Sequence, residues 1–180
     1  MTLETERLSF RPHQPSDVDE YCELAADPDF RRHVGGGPLS RADAKHKFRQ
    51  ILLRVANREM CLMATIFKPE TRYIGYCGLH QGWGGKGEAV LAFYIAKPYW
   101  GRGLATEAGR AFIDHGFNQL GLDRIIASTE AGHAASIRVL EKLAFRQTGI
   151  EPGARSFVHF ELAREHGAMS RSVTKKEIPE

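Results

Sequence analysis

The sequence predicts a mixed α/β protein built on one mostly antiparallel sheet with helices around it. Three observations carry this. Met60–Phe67, Tyr73–His80 and Ala89–Ala96 are apolar runs of strand length joined by short connections, which reads as an antiparallel meander. Segments of helical period stand before and after that meander. The length, 180 residues, suits one domain with a real core and would cramp a second.

Taken in order, Leu8-Ser-Phe10-Arg11 alternates apolar and polar before Pro12 and forms a short first strand. Ser16 with Asp19 three residues on resembles a capping box, opening a helix to about Ala26. Gly35-Gly36-Gly37-Pro38 breaks the chain, and Ser40 with Asp43 repeats the start signal. Phe48, Ile51, Leu52 and Val55 then share one face of a helix ending near Asn57. Lys68–Arg72 turns between the first two strands of the meander, and the glycine-rich Gly82–Gly87, which carries Trp83, connects the second to the third. A helix (about Leu104–Gln119), a strand (Arg124–Thr129) and a helix (about Ala134–Leu143) follow, then strands near Phe145–Gly149 and Phe157–Leu162. Residues 1–165 make the domain. Residues 166–180 lack apolar periodicity and read as a loose C-terminal tail.

Composition excludes several classes. At 42% hydrophobic and 26% charged the chain is of ordinary globular type, not disordered or collagenous. No window approaches the roughly 18 apolar residues of a membrane span. The polar N-terminus is unlike a secretory signal, and Cys22, Cys61 and Cys77 offer neither a CxxC pair nor a disulfide framework, so a reducing cytoplasm is expected. A net charge of +3, with no basic run before Lys175-Lys176, argues against nucleic acid. No His/Cys/Asp set has metal spacing, and no Gly-x-Ser-x-Gly marks a serine hydrolase.

The informative stretch is Ile95-Ala-Lys-Pro-Tyr-Trp-Gly101-Arg102-Gly103-Leu104-Ala105-Thr106-Glu107. A strand runs through two glycines into a helix, where free N–H groups and the positive end of the helix dipole make an anion site. A plain glycine turn into a helix would read the same. A Rossmann fingerprint needs glycine where Thr106 stands. Gly82–Gly87 has the outer spacing of a Walker A loop, but Glu88 follows it and a hairpin surrounds it.

A second block, Ala135-Ser-Ile-Arg-Val-Leu-Glu-Lys-Leu143, joins the first. With Tyr99–Ala108, the opening Leu3-Glu-Thr-Glu-Arg-Leu-Ser-Phe-Arg-Pro12, and Ile74-Gly-Tyr-Cys-Gly-Leu79, the chain resembles the GNAT family of acetyl-CoA-dependent N-acetyltransferases. The likeness is to its RimJ/RimL-type branch and covers about residues 3–165. It implies the GNAT fold, whose central sheet splays between the strand Ala92–Ala96 and the strand Arg124–Thr129 to hold the thioester. Gly101, Arg102, Gly103, Leu104 and Ala105 match the pyrophosphate loop. Tyr94, Ile95 and Ala96 belong to the strand that pairs with the pantetheine arm, and an N–H near Tyr94 or Ile95 would polarise the thioester carbonyl. Ser136 matches a serine beside the coenzyme sulfur, placed to protonate the leaving thiolate.

The resemblance further implies a primary amine acceptor, either a protein or peptide N-terminus or a small molecule. It implies no metal and no nucleic-acid or membrane partner, and the chain would act as a monomer or homodimer. A non-catalytic acyl-CoA-binding protein of the same fold is the alternative. Glu130 and His133, just beyond the gap strand, are the candidate bases, and His133 also matches a coenzyme contact that is commonly Asn. His80, Glu88, His115, His159 and Glu161 are further options, though core packing or a solvated face accounts for most of them. Leu140 stands where other branches place a Tyr acid. Ala144-Phe145 replaces the usual Gly-Phe, which fits only if that backbone needs no positive φ.

Overall fold

In the computed structural model the described residues are 3–32, 36–57, 59, 62–81, 85–153 and 155–164. Cys61, Trp83 and the tail lie outside them. The strands are β1 (Leu3–Glu4), β2 (Leu8–Arg11), β3 (Met63–Phe67), β4 (Arg72–Gln81), β5 (Glu88–Ile95), β6 (Arg124–Glu130), β7 (Arg146–Glu151) and β8 (Phe157–Ala163). The helices are α1 (Val18–Ala26), α2 (Pro28–Arg31), α3 (Arg41–Ala56), α4 (Leu104–Asn118) and α5 (Ala134–Lys142). The strands form one sheet in the order β1-β2-β3-β4-β5-β6-β8-β7. Every pairing is antiparallel except β5 with β6.

The expected meander is β3-β4-β5, and the helices fall where their period places them. Alternation along β4 divides the packing. Tyr76 meets Tyr21 of α1 with ring centroids 6.0 Å apart, and α1 and α3 share a core of Tyr21, Cys22, Ala25, Ala44 and Phe48. Leu79 turns toward α4, whose Ala108, Phe112 and Ile113 join Ile125 and the α5 residue Leu140 in the larger core. Ser40 caps α3 as expected, accepting from the Asp43 N–H at 3.1 Å. At α1 the capping acid differs from the expected pair. Asp17, not Asp19, accepts from the Gln14 N–H at 2.8 Å and also holds Arg11, because a 3-10 turn over Pro15–Asp17 precedes the helix.

Two short elements were not expected. β1 has only two residues. α2 has four, but its signal stands in the sequence: Asp27 accepts from the N–H groups of Asp29 and Phe30, and Pro28 occupies the first helical position.

The end of α5 corrects a further expectation. The N–H of Phe145 bonds to the Leu140 carbonyl at 3.0 Å and that of Ala144 to the Glu141 carbonyl at 3.0 Å. This is a Schellman turn, which places its penultimate residue in the left-handed region. That residue is Ala144, at φ 63°. An L-residue there costs about 1–2 kcal/mol, while glycine costs about 0.5–1 kcal/mol of extra unfolded-state entropy. The first effect is the larger, so Ala144→Gly is expected to stabilise the fold by about 0.5–1 kcal/mol. A higher urea midpoint at unchanged m-value is the measurement; a lower midpoint would show that this turn carries no strain.

Candidate active site

The parallel pair β5–β6 is short. Glu88, Ala89 and Val90 face Arg124, Ile125 and Ile126, and the two strands then part. Their closed end is held by an ion pair of the buried Glu88 with Arg124 at 2.5 Å. Glu88 is therefore a structural carboxylate, not a solvated one. Beyond it opens a cleft of about 760 Å³, within the ordinary range for ligand pockets.

The strand edge inside the gap has a defined set of donors. The Ala96 N–H bonds to the Ile74 carbonyl at 2.7 Å, and the β4–β5 register continues in steps of two through Tyr94–Tyr76 and Ala92–Gly78. Those residues turn their amides to β4. Leu91, Phe93 and Ile95 therefore turn theirs toward the gap. Of the three strand residues named above, Ile95 lines the cleft with its N–H turned to the gap. Tyr94 contributes its ring and not its N–H, and Ala96 does not reach the cleft. The Ile95 carbonyl is already taken, because the indole N–H of Trp100 donates to it at 2.6 Å. Trp100, 47% exposed, lines the cleft, while Tyr99 is buried and packs on Phe67.

Two helices point their N-termini into this space. Gly101, Gly103, Leu104 and Ala105 line it at the start of α4, with Gly101 and Gly103 at φ 74° and 78°. His133, Ala134 and Ser136 line it at the start of α5. Neither helix has a side-chain cap, so both present N–H groups and positive dipole ends. The Arg102 side chain is engaged elsewhere. Its guanidinium leaves the cleft and stacks on Phe67 and Tyr99, 4.6 Å and 5.3 Å from the ring centroids. Arg102 does not line the cleft.

The candidate proton-transfer groups separate clearly. Ser136 is 8% exposed, lines the cleft, and has no hydrogen-bond partner for its hydroxyl among the described residues. His133 brings Nδ1 within 3.4 Å of the Thr129 hydroxyl. Glu130 lines the cleft and is ion-paired with Arg155, from the β7–β8 connection. His80 also lines it, with Nδ1 at 3.2 Å from the Gln81 carbonyl; burial lowers its pKa, which favours the neutral imidazole. Three others stand elsewhere. His115 lies on the outer side of α4, His159 faces Glu151 at 3.5 Å, and Glu161 pairs with Arg124 and Arg146. Asp29, Phe30, Arg32, Tyr94 and Arg155 also line the cleft. Tyr94 stacks on Tyr76 with centroids 4.9 Å apart, and burial raises its phenol pKa.

A shallower groove of about 770 Å³ runs outside the sheet between the β1–β2 hairpin and α4. Its size matches the cleft, but it is the more open of the two.

A splayed parallel pair with an uncapped glycine-loop helix at its mouth is a specific arrangement, and a family model for the acetyltransferase (GNAT) domain matches residues 7–146. The chain belongs to the GNAT family. It is 30% identical over 150 residues to a Bacillus licheniformis protein named uncharacterized N-acetyltransferase p20, covering 83% of this chain and 84% of that one. A GNAT-family acetyltransferase from Bacillus anthracis has the same fold, with a TM-score of 0.77 at 23% identity over 91% of this chain and 98% of that one. The ribosomal-protein-S5-alanine acetyltransferase of Vibrio fischeri gives 0.74 at 17% identity over 92% and 98%.

GNAT membership makes the chain an acyltransferase of a family that uses acetyl-CoA. Among the described residues, no helix is long and apolar enough to cross a membrane. No group of three or more His, Cys, Asp or Glu could hold a metal ion there either.

Proposed function

We propose that this GNAT protein moves the acetyl group of acetyl-CoA to a primary amine by direct attack in a ternary complex. The observation that carries the reading is the parting of β5 from β6 beyond Val90 and Ile126, which leaves strand amides open beside two uncapped helix N-termini. A diphosphate suits the Gly101–Gly103 loop. The two amides of a pantetheine arm suit the β5 edge, where Leu91 and Phe93 offer donors and acceptors and Ile95 offers its N–H alone. An N–H of that edge takes up the charge developing on the thioester oxygen. The amine enters from the mouth between Phe30, Tyr94 and Arg155. It forms the new C–N bond as the C–S bond breaks, losing its proton toward Glu130 or His133, while the Ser136 hydroxyl protonates the departing sulfur. An N-terminal α-amine of a protein is the favoured acceptor, supported by the fold likeness to the S5-alanine acetyltransferase.

The test is thiol release from acetyl-CoA with free-N-terminus peptides, the same peptides N-terminally blocked, and small primary amines. Release with an equal gain of acetyl groups on the unblocked peptides is expected. Binding of acetyl-CoA without turnover on any amine would return the chain to the acyl-CoA-binding alternative. Gly103→Val forces a branched residue into the φ 78° conformation of the loop, with its Cβ 3.7 Å from the Arg7 guanidinium. It is expected to weaken acetyl-CoA binding at least about tenfold, ~1.4 kcal/mol. Unchanged affinity by calorimetry in the folded variant would remove the loop from the site.

A further inference from the structure

Arg7 lies before β2, outside the cleft and 95 residues from Arg102 in sequence, yet it is bonded to the glycine loop. Its Nη1 donates to the Arg102 carbonyl at 3.0 Å. The rest of the guanidinium is held by Glu107 in the first turn of α4, with Nε at 2.7 Å and Nη2 at 2.6 Å from Oε2. The other carboxylate oxygen, Oε1, accepts from the Arg7 N–H at 2.9 Å and from the Thr5 hydroxyl at 2.5 Å. Partial burial opposes ionisation of Glu107, but these donors together bring its pKa below the usual carboxylate value, so the anion is the resident form. One side chain thus ties the β1–β2 hairpin, the helix start and the loop together.

The bond to Arg102 has a geometric consequence. A trans peptide is planar, with its carbonyl and its N–H pointing in opposite directions. Drawing the Arg102 carbonyl outward to Arg7 turns the Gly103 N–H away from Arg7. The Arg102 guanidinium is drawn outward as well, onto Phe67 and Tyr99. Both halves of Arg102 are therefore anchored on the outer side, which leaves Gly103 backbone on the cleft.

We propose that Arg7, oriented by Glu107, is a positioning residue for coenzyme binding: it pre-sets the 102–103 peptide so that the Gly103 N–H faces the phosphate before the ligand arrives. This rests on the reading of the cleft as an acetyl-CoA site. Lysine at position 7 keeps the charge but lacks the fork, and cannot hold Glu107 and the Arg102 carbonyl at once. Without the bond the loop must be ordered by the ligand, and that ordering is subtracted from affinity.

The experiment compares wild type, Arg7→Lys, Glu107→Gln and Lys68→Met. Lys68 ties the same hairpin, through Glu4 at 3.1 Å and the Thr5 carbonyl at 2.7 Å, without touching the loop. Calorimetric Kd for acetyl-CoA, steady-state KM for both substrates, kcat and Tm are measured for each. Arg7→Lys and Glu107→Gln are expected to raise Kd and KM for acetyl-CoA about five- to tenfold. The amine KM should be unchanged and kcat should stay within about twofold. Lys68→Met should lower Tm with acetyl-CoA affinity intact.

If all three variants weaken binding in proportion to their loss of Tm, Arg7 is only a hairpin tie and the proposal falls. It also falls if Arg7→Lys binds as wild type does. A wild-type protein that takes up no acetyl-CoA overturns the reading of the cleft, and the positioning role with it. Should a Glu107 variant fail to fold, Arg7→Lys, on a 39% exposed side chain, still decides.

Discussion

Gly75→Ala is expected to cost more than about 3 kcal/mol, from a fold whose whole stability is about 5–15 kcal/mol. Gly75 opposes Ile95 across β4 and β5. A Cβ on Gly75 would stand 1.9 Å from the Tyr94 carbonyl oxygen, 3.0 Å from its carbon and 3.1 Å from the Ile95 Cα. All three are backbone atoms, so no rotamer change relieves the overlap and β5 itself must move. The backbone at φ 148° adds strain of its own. Gly121→Ala is the matched comparison, with φ 65° and open space around the added Cβ. It isolates the conformational penalty, about 1 kcal/mol. Urea unfolding of the two variants should differ by at least about 2 kcal/mol. Equal losses would mean that β4 and β5 are not packed as closely at Gly75 as the structure has them.

Ser136→Ala is expected to lower kcat by up to about 10²-fold, the scale of one well-placed general acid, while acetyl-CoA binding changes little. Ser136 is 8% exposed as a residue and lines the cleft from the first turn of α5. The split between kcat and binding is the measurement. Equal loss in both would assign Ser136 to holding the coenzyme, and no loss in either would leave it a helix-start residue. Should kcat fall with a flattened pH profile only in Glu130→Gln or His133→Asn, proton transfer is limited at the amine and not at the thiolate.

Most elements were legible because each carries its own period. β3, β4 and β5 are apolar runs between turns, and α3, α4 and α5 have an apolar face. What could not be read depended on partners far along the chain. Nothing in Arg124–Glu130 says that its pairing with β5 stops after three residues. The same holds for Arg102, whose place in the glycine loop was legible but whose stacking on Phe67, a residue of β3, was not. Arg155 meets Glu130 across 25 residues. Glu107 stands in the first turn of α4, but nothing near it in the sequence points to its partners Thr5 and Arg7. Ala144 failed for another reason: alanine gives no local sign of positive φ, and the turn that imposes it comes from the helix end. α2 was missed although its cap was readable, since four residues are too few to show a period.

The three-residue pairing of β5 with β6 also divides the molecule as a solid. On one side stand β1 to β5 and on the other β6, β8 and β7, and within the sheet only that short ladder crosses between them. Such a seam is where a sheet should open before it melts, so the two sides can behave as separate cooperative units. Amide exchange would show it. The N–H groups of Leu91, Phe93 and Ile95, turned toward the gap, should exchange ahead of their neighbours Ala92 and Tyr94, which are paired to β4. A ligand arm laid along that edge would act as a removable strand, adding stability in proportion to the logarithm of its concentration. The proposed cleft and the mechanical fault line of this protein thus share one origin, a ladder that ends after three residue pairs.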